Sequence, residues 1–320
     1  MSLSMEDKPA ESSFEEIVGE SPALNRLLRL AMKSAGNDAP LLILGEAGSG
    51  KELIARAIHR ISVRRNESFV KVNCGAGGRL AAELFGEAEE DLGGSAGRKT
   101  GGVEGVNLAN EATLFRRDPQ PEQPRALERE EFKRLESELF ANRKRTERGS
   151  GAIGGVERAH NGILFLAEIA NLPLDLQARL LRLLQYRELE RPGGTRNIRV
   201  NVRLIATTKY DLGERVAEQT FLGDLYDQLN VFCMRVPPLS ERREDIPLLA
   251  SYFMQKFAGR ANKQIENIPA EAMSFLVNSE WPGNVRQLEN LIQQAVSLTD
   301  GPELRVPRGG SQAQCERKTG

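Results

Sequence analysis

Short apolar runs punctuate the chain at Leu41–Leu44, Phe69–Asn73, 163–166, 202–207 and 231–236, with helical patterns between them. Alternation of this kind predicts an α/β fold with a doubly wound, five-stranded parallel sheet. The runs read as nearly continuous apolar strings, as strands covered on both faces should. From 245 to 298 the pattern is helical throughout, which predicts a C-terminal helical domain. Asn284 with Gln287 three residues later reads as a capping box opening the last helix, 285–298.

Composition narrows the class. With 320 residues, 40% of them hydrophobic and 28% charged, the chain can bury a full core and build more than one domain. No apolar run approaches the roughly 18 residues of a membrane helix, and the start is not signal-like, so a cytoplasmic protein with no membrane partner is expected. The three cysteines, Cys74, Cys233 and Cys315, are dispersed, and two fall in strand-like stretches; buried thiols are expected rather than disulfides. Two histidines, His59 and His160, exclude a zinc cluster. A net charge of −1 argues against DNA binding by bulk electrostatics. The tail carrying Arg305, Arg308, Arg317 and Lys318 reads as a solvated end.

The strongest chemical signal is Gly45-Glu46-Ala47-Gly48-Ser49-Gly50-Lys51-Glu52, set between the apolar run Leu41–Leu44 and the helical pattern 53–58. Strand, glycine-rich loop and helix in this order make a phosphate-binding loop. The glycines let backbone N–H groups face a polyphosphate, and Lys51 adds a point charge toward the β and γ phosphates. ATP or ADP is therefore the expected ligand. Glu52 stands where a magnesium-ligating Ser or Thr is usual.

Further blocks follow in order: Phe69-Val70-Lys71-Val72-Asn73-Cys74, Glu83-Leu84-Phe85-Gly86, Gly162-Ile163-Leu164-Phe165-Leu166-Ala167-Glu168-Ile169, Leu180-Leu181-Arg182-Leu183-Leu184-Gln185, Pro237-Pro238-Leu239, Glu241-Arg242-Arg243-Glu244-Asp245-Ile246 and Trp281-Pro282-Gly283-Asn284-Val285-Arg286. With the loop and its Glu52, these resemble the AAA+ domain of sigma-54-dependent transcriptional activators, over roughly 14–300. The resemblance implies an AAA+ nucleotide-binding domain over 14–240 and a helical lid over 241–300, with flexible ends at 1–13 and 301–320. Neither a DNA-binding helix-turn-helix after the lid nor a receiver domain before the loop is expected in this stretch, and the expectation is a lone AAA+ protein or an excised domain.

Carried over residue by residue, the resemblance separates two groups. Gly45, Glu46, Ala47, Gly48, Ser49, Gly50, Lys51, Glu52 and the lid's Arg286 are the expected nucleotide-binding residues. Glu168 is the expected general base and Asn73 the residue that restrains it. Ala167 replaces the aspartate that organises magnesium, so Mg2+ is expected to be weakly held at most, with no certain metal ligand. Lys209 replaces the sensor asparagine, its cation available either to salt-bridge Glu168 or to approach the γ-phosphate. Leu222 and Gln228 stand where the family supplies two arginines to a neighbouring subunit. The expectation is a degenerate member that binds nucleotide, hydrolyses it poorly and assembles weakly into the family's hexameric or heptameric rings; the alternative is a working ATPase acting on sigma-54 RNA polymerase.

The stretch 86–137 is an expected insertion. Glu83-Leu84-Phe85 recurs as Glu138-Leu139-Phe140, and Gly101-Gly102-Val103-Glu104 as Gly154-Gly155-Val156-Glu157, the pattern of a decayed tandem duplication. A charged helix is expected over 125–140. Neither Gly93-Gly94-Ser95-Ala96-Gly97 nor Arg148-Gly149-Ser150-Gly151-Ala152 keeps the aromatic anchor of the family's sigma-54-gripping loop, so remodelling of that factor is not expected.

Overall fold

The structure is a computed structural model that describes residues 17–75, 139, 155–190 and 197–307. The insertion over 86–137, both candidate partner loops and Cys315 lie outside the described residues. Of the helix expected over 125–140, only Leu139 is described; it is helical and buried.

Five strands form one sheet in the order β2-β3-β6-β1-β7. They are β1 (Leu41–Leu44), β2 (Phe69–Asn73), β3 (Ile163–Ala167), β6 (Arg203–Thr208) and β7 (Cys233–Arg235). The α/β fold read from the alternation is thus observed. By contacts the chain divides into two compact units, the first holding Met1–Asn66, Thr207–Tyr210 and Phe232–Gly320, the second Glu67–Ala206 and Asp211–Val231.

In the first unit, helix α1 (Pro22–Ala35) starts where Ser21 accepts the Leu24 N–H at 3.3 Å and Pro22 fixes the first turn. Its Leu24, Leu27, Ala31 and Ala35 fall at helical spacing and are buried. β1 pairs with β7 in parallel, Leu42 opposite Cys233 and Leu44 opposite Arg235. At the end of β1 the Gly45 N–H donates to Thr208 O, in the last residue of β6, at 3.1 Å. Helix α2 (Lys51–Ile61) follows the glycine-rich loop. The unit also holds three helices, here numbered α6 (Ile246–Ala261), α7 (Ala270–Asn278) and α8 (Asn284–Leu298). Leu249, Phe253, Phe257, Leu276, Trp281, Leu288 and Ile292 form their core. Each such side chain contributes roughly 1.5–3 kcal/mol of burial. The Trp281 indole N–H is satisfied by Leu276 O at 3.0 Å.

The second unit carries β2, β3 and most of β6 in parallel register, with Asn73 opposite Ala167 at the strand ends. Helix α3 (Leu174–Tyr186) precedes an antiparallel pair, β4 (Glu188–Glu190) with β5 (Asn197–Arg199), and helices α4 (Leu212–Ala217) and α5 (Gly223–Leu229) come after β6. The β4–β5 pair has no apolar run to announce it.

Two expectations change. The central strands β1, β3 and β6 are nearly continuously buried, but β2 and β7, at the sheet edges, expose Lys71, Asn73, Cys233 and Arg235. Cys233 is therefore not the buried thiol expected, although Cys74 is. Partial burial still pushes the Cys233 pKa up. Among the described residues, no helix is long and apolar enough to cross a membrane, and no cluster of three or more His, Cys, Asp or Glu could hold a metal ion.

Candidate functional site

The loop from β1 to α2 turns at two glycines with left-handed backbone, Gly48 at φ 73° and Gly50 at φ 101°. A side chain is strained at both positions. Gly50 caps α2 without any side-chain hydrogen bond, so the positive end of the helix faces the loop without a side-chain cap, a setting that suits an anion. A Cβ on Gly50 would meet nothing within 4 Å, so the loop opens onto free space there. Lys51, nearly buried, donates from Nζ to Gly45 O at 2.6 Å and Glu46 O at 3.0 Å, which holds its charge across the mouth of the loop. Glu52 pairs with Arg56 one turn on, at 2.8 Å. An exposed pair of this spacing adds a few tenths of a kcal/mol, roughly 0.3–0.5.

The start of α8 lies directly against this loop. A Cβ on Gly48 would fall 2.2 Å from Gly283 O and 3.1 Å from Arg286 Cβ, so glycine is required at 48 by the lid as well as by the turn. The Arg286 N–H donates to Gly48 O at 3.3 Å. The Arg286 side chain is exposed, and among the described residues nothing ion-pairs with it.

Asn284 is the residue whose role the sequence misassigned. It adopts φ 52° and is fully buried; its Nδ2 donates to Glu46 Oε2 at 2.9 Å and Ala47 O at 3.1 Å, while its Oδ1 accepts the Leu239 N–H at 2.7 Å. It is not the cap of the expected box. Gly283 is the N-cap, and Gln287 Oε1 accepts the Gly283 N–H at 2.9 Å, so half of the motif is present one residue earlier. The Asn284 amide is occupied by the phosphate loop instead.

Arg242 and Asp245 went unassigned in the sequence because Glu241-Arg242-Arg243-Glu244-Asp245 is a charged string with no visible inward face. Arg242 is 4% exposed and donates from Nη2 to Ser49 O at 2.9 Å. Burial lowers its pKa, and the charge of Asp245 opposes that shift. Among the described residues, the buried Arg242 Nε and Ser49 Oγ meet no hydrogen-bond partner.

The other predicted residues lie mostly in the second unit. Glu168, half-buried, follows β3 at φ 55°, ψ 54°, a left-handed conformation unusual for a residue with a side chain. Asn73 Oδ1 accepts the Gly75 N–H at 3.0 Å. A Cβ on Gly75 would lie 3.5 Å from Glu168 Cβ and 3.7 Å from Asn73 Oδ1, so Asn73 and Glu168 flank one backbone turn at the same end of the sheet. Ala167, beside them, is half-buried. Leu222 caps α5, its N–H held by the buried Gln177 Oε1 at 2.8 Å, and Gln228 is exposed on α5. Lys209, in the first unit, sits with its ammonium 5.1 Å from the Tyr210 ring centre.

Comparison with known proteins matches residues 17–118 and 126–235 to the Sigma-54 interaction domain, and residues 240–308 to the AAA+ ATPase lid domain. The chain is similar to the formate hydrogenlyase transcriptional activator FhlA of Escherichia coli K12, 41% identical over 298 residues, which are 92% of this chain and 35% of that protein. It is also similar to the regulatory protein AtoC of the same strain, 40% identical over 288 residues, 89% of this chain and 51% of that one. The chain thus spans between about a third and a half of the length of these relatives. Among solved structures, NtrX from Brucella abortus, crystallised in complex with ADP and with ATP, matches 92% of this chain and 55% and 56% of its own, each with TM-score 0.67 and 33% identity.

Proposed function

The chain belongs to the sigma-54 interaction-domain family, with an AAA+ lid, and on that premise we propose that it binds ATP or ADP as a transcriptional regulator while hydrolysing it poorly and remodelling sigma-54 little. One observation carries this reading. The loop with Gly48, Gly50 and Lys51, together with the lid's Asn284 and Arg286, forms a connected set of contacts in one unit, whereas Ala167, Lys209, Leu222 and Gln228 have no counterpart of the family's hydrolytic groups. NtrX, crystallised with both nucleotides, supports nucleotide binding by the same fold.

The loop fits a polyphosphate. Left-handed glycines, an uncapped α2 N-terminus and open space at Gly50 suit close approach of an anion to backbone N–H groups. Gly45, Glu46, Ala47, Gly48, Ser49 and Gly50 form the cradle, Lys51 and Arg286 supply cations, and Glu52 follows. ATP supplies the phosphoanhydride bond. Glu168 orients water and accepts its proton, and Asn73 restrains that carboxylate. Ala167 offers Mg2+ no carboxylate, so the metal, where bound, would rely on phosphate oxygens and water. With Leu222 and Gln228 in place of the trans arginines, ring assembly is weakened, and the site of action is the cytoplasm. An α/β domain over 14–240 and a lid over 241–300 divide these tasks.

A second reading is an active ATPase that remodels sigma-54 polymerase as a homo- or hetero-oligomer. It is favoured by Glu168 and Asn73, which flank the same turn. The nucleotide reading is tested by thermal denaturation. ADP or ATP at one hundred times its Kd should add about 2.7 kcal/mol of stability. Lys51→Ala should abolish the gain, and no shift at millimolar nucleotide would sink the proposal.

A further inference from the structure

One short stretch, residues 239–245, ties three distant parts of the first unit together. At its start the Leu239 N–H donates to Asn284 Oδ1 of the lid at 2.7 Å. In its middle Arg242 donates to the Ser49 carbonyl of the phosphate loop at 2.9 Å. At its end Asp245, fully buried, accepts the Glu20 N–H at 2.7 Å, the Ser21 N–H at 2.8 Å and the Ser21 hydroxyl at 2.7 Å. The lead-in segment to α1 is therefore docked on the same turn that holds the phosphate loop. Its fit is close: Gly19 has φ 146°, and a Cβ there would lie 2.7 Å from both Asp245 Cγ and Leu24 Cδ2.

The contact with Ser49 has a consequence for the loop's donors. In a trans peptide the C=O of one residue and the N–H of the next point in opposite directions. Arg242, by drawing the Ser49 carbonyl toward itself, turns the Gly50 N–H the other way and fixes the plane of that peptide. Asp245 is tied in turn to Arg242, its N–H donating to Arg242 O at 3.0 Å, and its charge supports the buried guanidinium. Displacement of residues 19–21 leaves Asp245 a buried carboxylate short of three donors. The turn must then rearrange, and Arg242 with it.

We propose that Arg242 and Asp245 are positioning residues through which docking of the 19–21 segment and occupancy of the phosphate loop by nucleotide are reciprocally coupled. This rests on the nucleotide-binding reading above. Linkage works in both directions: bound nucleotide tightens the docked segment, and anything that draws residues 17–21 away weakens nucleotide binding.

Two measurements on the full chain test this. In the wild type, hydrogen exchange at the Glu20 and Ser21 amides should slow about 10-fold when ADP saturates the site, within the usual range of coupling. In Gly19→Ala, whose new methyl group has its nearest contacts at Asp245 and Leu24, the Kd for a fluorescent ADP analogue should rise about 10-fold. A purely structural role would lower the melting temperature and leave Kd unmoved. The proposal is overturned by equal exchange with and without ADP, or by a Kd within about 2-fold of wild type in a Gly19→Ala chain whose Glu20 and Ser21 amides exchange fast. If Gly19→Ala does not fold, the wild-type exchange decides alone. If the wild type binds no ADP, the nucleotide reading has failed and coupling to nucleotide falls with it; the positioning of the loop through Arg242 is then judged in the ligand-free chain, where faster exchange at the Gly50 amide in Gly19→Ala sustains it and unchanged exchange overturns it.

Discussion

The residues proposed to cradle phosphate and those proposed to cut it differ in what else they hold. In the first unit Gly48 allows the lid to approach, Asn284 joins Glu46, Ala47 and Leu239, and Arg242 holds Ser49, so each also maintains packing around the loop. In the second unit Ala167 and Leu222 are half-buried and Gln228 is exposed, and Lys209 of the first unit is exposed too. Exchanging such side chains disturbs the fold little. On the proposed reading, a nucleotide-docking surface built into the packing resists loss, whereas hydrolytic groups at strand ends and on a short helix can be replaced while the fold survives. Binding and hydrolysis are thus separable in this architecture for a physical reason.

The largest expected effect comes from restoring what the second group lacks. Ala167→Asp, Lys209→Asn, Leu222→Arg and Gln228→Arg together should raise ATP turnover about 10³-fold or more, while any one alone does little, because groups acting as a unit are non-additive. Turnover of the fourfold variant should also rise with protein concentration if, as proposed, the two arginines act across a subunit boundary. A steady-state assay over a dilution series reads both, and no gain in a variant that binds ATP and assembles would break the comparison.

Smaller, and aimed at the contrast itself, is a pair of stability measurements. Asn284→Ala removes a buried amide with three hydrogen bonds and leaves alanine at φ 52°, so urea unfolding should show a loss of about 3 kcal/mol. Gln228→Ala, on an exposed face, should stay within about 0.5 kcal/mol of wild type. Equal losses at both sites would erase the distinction. The smallest effect concerns magnesium: with no carboxylate at 167, nucleotide affinity measured in chelator should fall by no more than about 3-fold. A large loss would mean that another acid, Glu168 foremost, ligates the metal.

Much of this was legible in the chain. Leu41–Leu44 and Phe69–Asn73 are observed as read, and the loop between β1 and α2 has its expected setting, because buried strands and glycine turns leave strong local patterns. The edge position of β7 was not legible, since strand order is a property of the whole sheet; hence the error at Cys233. Asn284 was read as a cap because its spacing to Gln287 is local information, whereas its partners Glu46 and Ala47 lie more than 230 positions away. Arg242 and Asp245 were hidden for the same reason, in a charged string whose inward face only tertiary contacts define.

The central claim, that the chain holds nucleotide without consuming it efficiently, is tested most directly by following binding and phosphate release on one sample of wild-type protein with ATP and Mg2+. The account predicts saturable binding that Lys51→Ala removes, with turnover far below the roughly 1 s⁻¹ at the lower end for efficient phosphoryl-transfer enzymes. Saturable binding with turnover at or above about that rate would contradict it and establish the chain as a working ATPase.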